Sequence, residues 1–215
     1  DYGSNQGFFS VSVATTFKEA LVFSLDMHKT RERNIQGHAG GMDRKAGPKH
    51  YAMLEKHGLT NDVICDTKFS QDTFDHLMDA HVLLDYQFTL SVFHWLSLST
   101  RAHFEKVLAT HLRNARTTFL ELPAPTQAPC ANYLSYKRWY DGRKNVTTII
   151  EQACQKQKLN IRLKQLTPGD PSHRVVFRVD NLEGGASRFD CTETLKLLNC
   201  RNDTPWSACP EHAGT

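Results

Sequence analysis

The stretch that most constrains the fold is the first ten residues, DYGSNQGFFS. Gly3 and Gly7 can adopt a positive φ and let the backbone approach a ligand that a Cβ would exclude. Asn5 is among the few other residues that tolerate the left-handed region. The apolar run that starts at Phe8 favours a helix. We therefore predict a strand end, a tight loop and a helix whose free N–H groups face the loop.

This loop has two interpretations. It can simply connect two elements, or it can bind a nucleoside-like cofactor at the carboxyl edge of a parallel sheet. The dinucleotide fingerprint has three glycines spaced G-x-G-x-x-G, whereas here Asn5 stands between Gly3 and Gly7. The loop alone leaves both interpretations open, so the rest of the chain has to decide between them.

Two buried, β-prone runs that follow the loop each end in an aspartate. The run 21–25 precedes Asp26, and the run 62–65 precedes Asp66. An acid about 20 residues beyond a glycine loop is where such folds bind ribose hydroxyls, because one carboxylate accepts both hydrogen bonds. The alternative is a solvated aspartate at a strand end. We interpret Asp26 as the ribose-binding acid.

Two segments resemble one family. Asp-x-Gly-x-Asn-x-Gly-Phe-Phe-Ser at residues 1–10 resembles motif I of the class I S-adenosylmethionine-dependent methyltransferases, in the subset with Asn where the middle glycine usually stands. Leu-Ser-Val-Phe-His-Trp-Leu at residues 90–96 resembles the motif IV segment of many members. The family often has Pro-Gly-Gly before its fifth strand, and this chain departs from it with Leu-Arg-Asn-Ala-Arg at residues 112–116.

The resemblance implies S-adenosylmethionine as the cofactor and Asp66 as the contact to its adenine amino group. The cofactor-binding residues that it implies are Asp1, Gly3, Ser4, Asn5, Gly7, Phe8, Asp26, Asp66 and Ser91.

The alternation of strand-like and helical patterns predicts an α/β fold. Strands are expected near residues 21–25, 62–65, 84–91, 117–122, 160–166 and 174–179, and helices near 8–18, 50–57, 72–78, 100–114 and from 146 onward. The apolar run 82–96 predicts a central strand covered on both faces. Pro168 to Pro171 predicts the turn of a closing antiparallel hairpin.

The resemblance implies a Rossmann-like, seven-stranded methyltransferase sheet, mostly parallel with an antiparallel C-terminal strand. Its first strand would precede Asp1, so we interpret the chain as a piece that lacks this strand. We expect a methyltransferase domain over residues 1–180 and a C-terminal extension over residues 181–215, where a Gly184-Gly185 break and a polar, cysteine-bearing segment begin.

Two residues are candidates for catalysis. Methyl transfer from a sulfonium requires mainly alignment of the acceptor and removal of a proton. His94 stands at the expected carboxyl end of the central strand, either as a base or as packing of the pocket floor, and Glu121 stands at the end of the next strand. The sequence has neither a Cys-x-x-Cys pair nor a metal-ligand triad, so no metal is expected.

Composition restricts the partners. A formal charge of +3 is too small to indicate nucleic-acid binding by itself, and no apolar run reaches the roughly 18 residues of a membrane span. The segment 133–144 mixes aromatic with basic residues, which suits either base stacking or an ordinary charged loop. Six scattered cysteines fit unpaired thiols in the cytoplasm, which we favour, or disulfides in a secretory compartment.

The resemblance implies a methyltransferase that acts on an O or N acceptor, which is a small molecule, a sugar or RNA. The alternative is a catalytically inactive methyltransferase-like fold that serves as a binding or interaction module. The intact loop, Asp26 and Asp66 favour the enzyme.

Overall fold

The computed structural model describes residues 1–4, 6–26, 46–67, 71–80, 82–90, 92–93, 96, 100–122, 146–167, 175–183, 190–198 and 200. In chain order, their elements are α1 (Phe8–Thr16), β1 (Val22–Asp26), α2 (Ala46–His57), β2 (Asp62–Asp66), α3 (Gln71–Asp79), β3 (Leu84–Thr89), α4 (Arg101–Arg113), β4 (Ala115–Leu122), α5 (Val146–Lys156), β5 (Ile161–Gln165), β6 (Val175–Asn181) and α6 (Cys191–Leu197). The predicted α/β class is confirmed. The chain forms two units, residues 1–68 with 190–215, and residues 69–189.

The first unit is built on a parallel pair of strands. β1 and β2 run in register from Val22 opposite Asp62 to Asp26 opposite Asp66. An apolar cluster joins these strands to α1 and α2, and it comprises Val11, Ala14, Val22, Leu54, Leu59 and Ile64. The Asn61 amide donates to the carbonyls of Ala14, Phe17 and Ala20, so it fixes the end of α1 just before β2 begins.

Helix α2 begins four residues earlier than the sequence predicts. Residues 46–49, which contain Gly47 and Pro48 and precede the predicted helix, form its first turn. Proline is tolerated there because the first backbone N–H groups of a helix have no intrahelical acceptor. The helix ends as predicted at Gly58, whose φ is 58° and whose neighbour Leu59 donates its backbone N–H to the Leu54 carbonyl.

The second unit is a four-stranded sheet in the order β3-β4-β6-β5. β3 and β4 are parallel, whereas β6 is antiparallel to both β4 and β5. The predicted closing antiparallel hairpin is confirmed. One face of the sheet packs on α4 and α5, and the fully buried residues there include Phe104, Val107, Leu108, Leu120, Ile150 and Phe177.

A buried carboxylate links the two helices of the second unit. Glu105 on α4 accepts hydrogen bonds from Lys156 on α5, at 2.7 and 2.9 Å, and from Arg101 at 2.7 Å. Burial by itself would raise the pKa of Glu105, but these charged donors lower it below its ordinary value. The carboxylate therefore stays ionised and holds α4 to α5.

The prediction that β3 is covered on both faces is wrong. The Tyr86 side chain is 64% exposed, whereas Gln87 and Thr89 on the other face are buried. Gln87 Nε2 donates to the His111 carbonyl at 2.8 Å and to Thr118 Oγ1 at 2.7 Å. Thr89 Oγ1 lies 2.6 Å from His111 Nε2. The strand therefore directs Gln87 and Thr89 toward α4 and the Tyr86 side chain toward water.

Candidate functional site

Residues 1–4, 6 and 7 form the predicted strand end and part of the loop. The Asp1 nitrogen donates to the Phe23 carbonyl at 2.6 Å, Leu25 donates to the Asp1 carbonyl at 2.9 Å, and Gly3 donates to the Leu25 carbonyl at 2.8 Å. This is a parallel ladder, and it places Tyr2, which is 2% exposed, beside Leu25. Residues 1–3 therefore lie on the side of β1 opposite β2.

The glycines of the loop adopt the conformations predicted from the sequence. Gly3 has a φ of 70° and Gly7 a φ of 82°, so both lie in the left-handed region. Gly7 donates its N–H to the Ser4 carbonyl at 2.8 Å and accepts from Val11 at 2.9 Å. Gly7 is the N-cap residue of α1 and has no side chain to bind the first N–H groups of the helix. The amino end of α1 therefore faces the loop, where it favours an anionic or polar acceptor group.

Two buried oxygens in this loop have no hydrogen-bond partner among the residues that the structure describes. They are Ser4 Oγ and Asp1 Oδ2, and Ser4 is only 5% exposed. The Ser4 backbone N–H, in contrast, is satisfied by the Leu25 carbonyl at 3.1 Å. Because most buried polar groups in proteins are hydrogen-bonded, these two oxygens are candidate contacts for a ligand with donor groups.

The two predicted acids are neighbours. Asp26 and Asp66 end β1 and β2 and are opposite each other in register. Both are partly exposed, and the Thr67 N–H donates to the Asp26 carbonyl at 3.1 Å. Residues 1–3 run parallel to β1 on one side, and β2 runs parallel to β1 on the other. The loop and both acids therefore lie at the same edge, where these three segments end.

The remaining predicted site residues have different positions. Phe8 is the first residue of α1, is 77% exposed and packs edge-on against Phe9 with 5.1 Å between ring centroids. Glu121 is in the second unit, where it is buried near the end of β4 opposite Val176 of β6. Asn5, Ser91 and His94, together with the segment 133–144, lie outside the described residues. Catalytic roles for His94 and Glu121 stay predictions.

The sequence analysis missed a chain of buried polar side chains in the first unit. His50 Nε2 lies 3.1 Å from Asp62 Oδ2 and 3.3 Å from Ser10 Oγ, and Ser24 Oγ donates to Asp62 Oδ1 at 2.5 Å. His50 and Ser24 are fully buried, and Asp62 is 3% exposed. We call Ser10, His50, Asp62 and Ser24 the polar chain. Its sequence signal was weak: a serine inside an apolar strand and an aspartate at the start of a buried strand.

The cysteines also differ from the prediction of unpaired thiols. Cys65 of β2 forms a disulfide with Cys200, and Cys191 is disulfide-bonded as well. In the described part of the chain Cys154 is a free thiol, and burial raises its pKa to about 12, so it is not a reactive nucleophile. Disulfides are typical of oxidising compartments, which removes the reason for favouring the cytoplasm.

Residues 190–198 and 200 pack in the first unit. Asp190 caps α6 by accepting the Glu193 N–H at 2.8 Å, and Cys191, Thr194 and Leu198 are buried. Thr67 Oγ1 donates to the Leu198 carbonyl, next to the pairing of Cys65 with Cys200. The expected boundary at residue 181 between domain and extension stays a prediction.

The described residues contain no group of three His, Cys, Asp or Glu side chains placed to hold a metal ion. Among these same residues, no helix has the length and apolar character needed to cross a membrane.

Comparison with known proteins gives one structural likeness. No family model and no curated protein matches the sequence. The crystal structure of monomeric WbdD has a similar fold, with a TM-score of 0.54 at 18% sequence identity, and the match covers 84% of this chain but 35% of that chain. At this identity the likeness shows that the chain shares its fold with part of WbdD.

Proposed function

We propose that the chain is an S-adenosylmethionine-dependent methyltransferase domain that transfers a methyl group to an O or N atom of a small molecule, a sugar or RNA. The observation that supports this proposal best is the meeting of a glycine loop, a helix amino end and two acids at one edge of the first unit. The resemblance of residues 1–10 and 90–96 to methyltransferase motifs supports it independently.

The chain has residues suited to the amino-acid, ribose and adenine groups of S-adenosylmethionine. Two loop oxygens, Ser4 Oγ and Asp1 Oδ2, are buried acceptors without a described partner, and they suit the donors of the cofactor's amino-acid end. Asp26 can accept the two ribose hydroxyls, and Asp66, on the neighbouring strand end, can accept the adenine amino group. Gly3 and Gly7 leave the backbone open to close approach. Phe8 and the predicted Asn5 and Ser91 would complete the site.

The bound cofactor would supply an activated methyl group. The chain's own residues would then orient the acceptor and take its proton, which we assign to His94 or Glu121. The full fold that we propose is the seven-stranded methyltransferase sheet. The antiparallel pairing of β5 with β6 and of β6 with β4 supports this proposal.

The first experiment measures S-adenosylmethionine binding by calorimetry with the parent chain and with Asp26→Ala. Loss of both ribose hydrogen bonds should weaken binding about tenfold to a hundredfold, or roughly 1.5–3 kcal/mol. Glu55→Ala is the matched control, because Glu55 is an exposed carboxylate on α2 of the same unit. Equal affinities of the parent and Asp26→Ala would contradict the ribose assignment.

The second experiment separates an enzyme from a binding module. Candidate acceptors from the three classes are incubated with the chain and with cofactor that carries a labelled methyl group. Transfer to any class identifies the acceptor. Binding of the cofactor without transfer to any acceptor would favour the inactive methyltransferase-like fold.

A further inference from the structure

The imidazole of His50 lies directly against Gly7 at the start of α1. A Cβ added to Gly7 would lie 2.2 Å from His50 Cδ2 and 2.4 Å from His50 Nε2. Real Cβ atoms essentially never come so close to another heavy atom. Gly7 is therefore required by the ring beneath it as well as by its own φ of 82°.

The ring itself is held in place by the polar chain. His50 on α2 contacts Asp62 of β2 and Ser10 of α1, and Asp62 accepts a hydrogen bond from Ser24 of β1. Each of the four elements therefore contributes one member, and all four side chains are at least nine-tenths buried. Because a buried polar group is costly to leave without its partner, this arrangement strongly restricts where the ring can lie.

We propose that His50 is a positioning residue for the cofactor loop, which rests on the function proposed above. The edge of the ring determines how far Gly7 lies from β1 and β2. Ser10 connects the same ring to the first turn of α1. The polar chain thereby fixes the direction in which the loop and the free N–H groups of α1 face the ligand. This role is distinct from contact with the ligand, because His50 is 0% exposed.

A double-mutant cycle tests the proposal through cofactor affinity. Gly7→Ala should weaken S-adenosylmethionine binding about 30-fold or more, because the new methyl group and the ring cannot both keep their places. His50→Ala should weaken binding about threefold to tenfold, because the loop loses its support. The double variant should bind within about tenfold of the parent, far better than the product of the two losses. Additive losses would overturn the proposal.

Gly58→Ala is the matched control for backbone strain. Gly58 has a φ of 58°, but nothing lies within 4 Å of the position of an added Cβ. Gly58→Ala therefore imposes a similar backbone strain but creates no steric clash. We expect a lower melting temperature and an affinity within about twofold of the parent. If Gly58→Ala weakens binding as much as Gly7→Ala does, general destabilisation explains the effect and the proposal fails.

Hydrogen exchange provides a measurement that does not depend on the cofactor. The Val11 N–H donates to the Gly7 carbonyl, so its exchange reports on the first turn of α1. In His50→Ala, and in the conservative His50→Gln if the first variant does not fold, exchange at Val11 should rise about tenfold or more. Exchange at Val63 in β2 should change little. A uniform rise at both amides would mean that His50 only stabilises the unit, and would overturn the proposal.

The two measurements also distinguish this inference from the proposed function. If the parent does not bind S-adenosylmethionine, the proposed function fails, and the exchange measurement still decides whether His50 positions the loop. If the parent binds and the cycle is additive, the function stands and the positioning role fails.

Discussion

The strand ends of the two units differ in how their neighbours are arranged. In the first unit β1 and β2 are parallel, so their final residues Asp26 and Asp66 lie side by side. In the second unit β6 runs antiparallel to β4, so Glu121 near the end of β4 lies opposite Val176 near the start of β6. The last residues of two parallel strands therefore lie side by side at one edge of the sheet. When the neighbouring strand is antiparallel, the last residue of one strand lies beside the first residues of the other.

The units also differ in what holds their elements together. The second unit is one continuous stretch of chain with an apolar core and the Glu105 cluster between α4 and α5. The first unit is made of two separate stretches, and it relies on the polar chain and on the disulfide between Cys65 and Cys200. Substitutions in apolar contacts should therefore matter most in the second unit, and loss of the cross-link most in the first.

The largest effect is expected from Phe104→Ala in the second unit. The Phe104 ring is 1% exposed and contacts Phe93, with 6.2 Å between ring centroids. Removing it leaves a cavity and should lower the free energy of unfolding by about 3–5 kcal/mol, as measured by urea unfolding. Phe17→Ala is the control in the first unit, since Phe17 is 52% exposed and its loss should change stability by less than about 0.5 kcal/mol. Similar losses of stability in both variants would contradict the expected difference between the two units.

The next largest effect is expected from breaking the disulfide of the first unit. Cys200→Ser should lower the free energy of unfolding by about 2–4 kcal/mol, because the cross-link no longer restricts the unfolded chain. Cys65→Ser should cost a similar amount, and the double variant no more than Cys65→Ser alone. Urea unfolding of the three variants measures this. A double variant with twice the loss would show that the two cysteines stabilise the unit separately.

The pH dependence of stability should have a component from the second unit. Burial lowers the pKa of His111 from 6.5 to about 3, so the native state binds its proton only in strong acid. The unfolded chain takes up that proton below about pH 6.5, and native stability therefore falls as the pH drops from 6.5 toward 3. The slope of the free energy of unfolding against pH should reach about 1.4 kcal/mol per pH unit for this one proton. His111→Gln should lose this contribution.

The smallest effects should be alike in the two units, because helix caps act locally. Thr100 Oγ1 accepts the His103 N–H at 3.1 Å in the second unit, and Asp190 Oδ1 accepts the Glu193 N–H at 2.8 Å in the first. Alanine at either cap should cost about 1 kcal/mol in chemical unfolding. Thr100→Ser and Asp190→Asn should retain most of the stability. A loss above about 2 kcal/mol at Asp190 alone would show that the start of α6 supports more than its own first turn.

Sequence reasoning was most successful where a local rule decides the outcome. Gly3 and Gly7 have the positive φ values that their positions predicted. The six predicted strands have observed counterparts whose bounds shift by at most two residues. Asp26 and Asp66 stand at the ends of their strands as predicted, and the parallel pairing of β1 with β2 places them side by side.

The features that were missed all depend on contacts between distant residues. Ser10, His50 and Asp62 have ordinary local surroundings in the sequence, and only the packing of α1 and α2 on the strands brings them together. The exposure of Tyr86 was missed because the apolar run around it does not reveal that Gln87 and Thr89 find partners on α4 and β4. Pairing of Cys65 with Cys200 could not be deduced, because spacing alone does not determine which cysteines meet.

The disulfide joins residues separated by 135 positions, and this separation imposes an order on synthesis. A ribosome that adds about 5–20 residues per second needs roughly 7 to 27 seconds to reach Cys200 after Cys65. During that interval the Cys65 thiol has no native partner, and Cys130, Cys154 and Cys191 are synthesised before Cys200. The intervening unit can fold early and withdraw Cys154 from competition, since that thiol ends up buried. Correct pairing thus depends on timing as much as on geometry, and a thiol–disulfide isomerase would be expected to raise the yield of native protein.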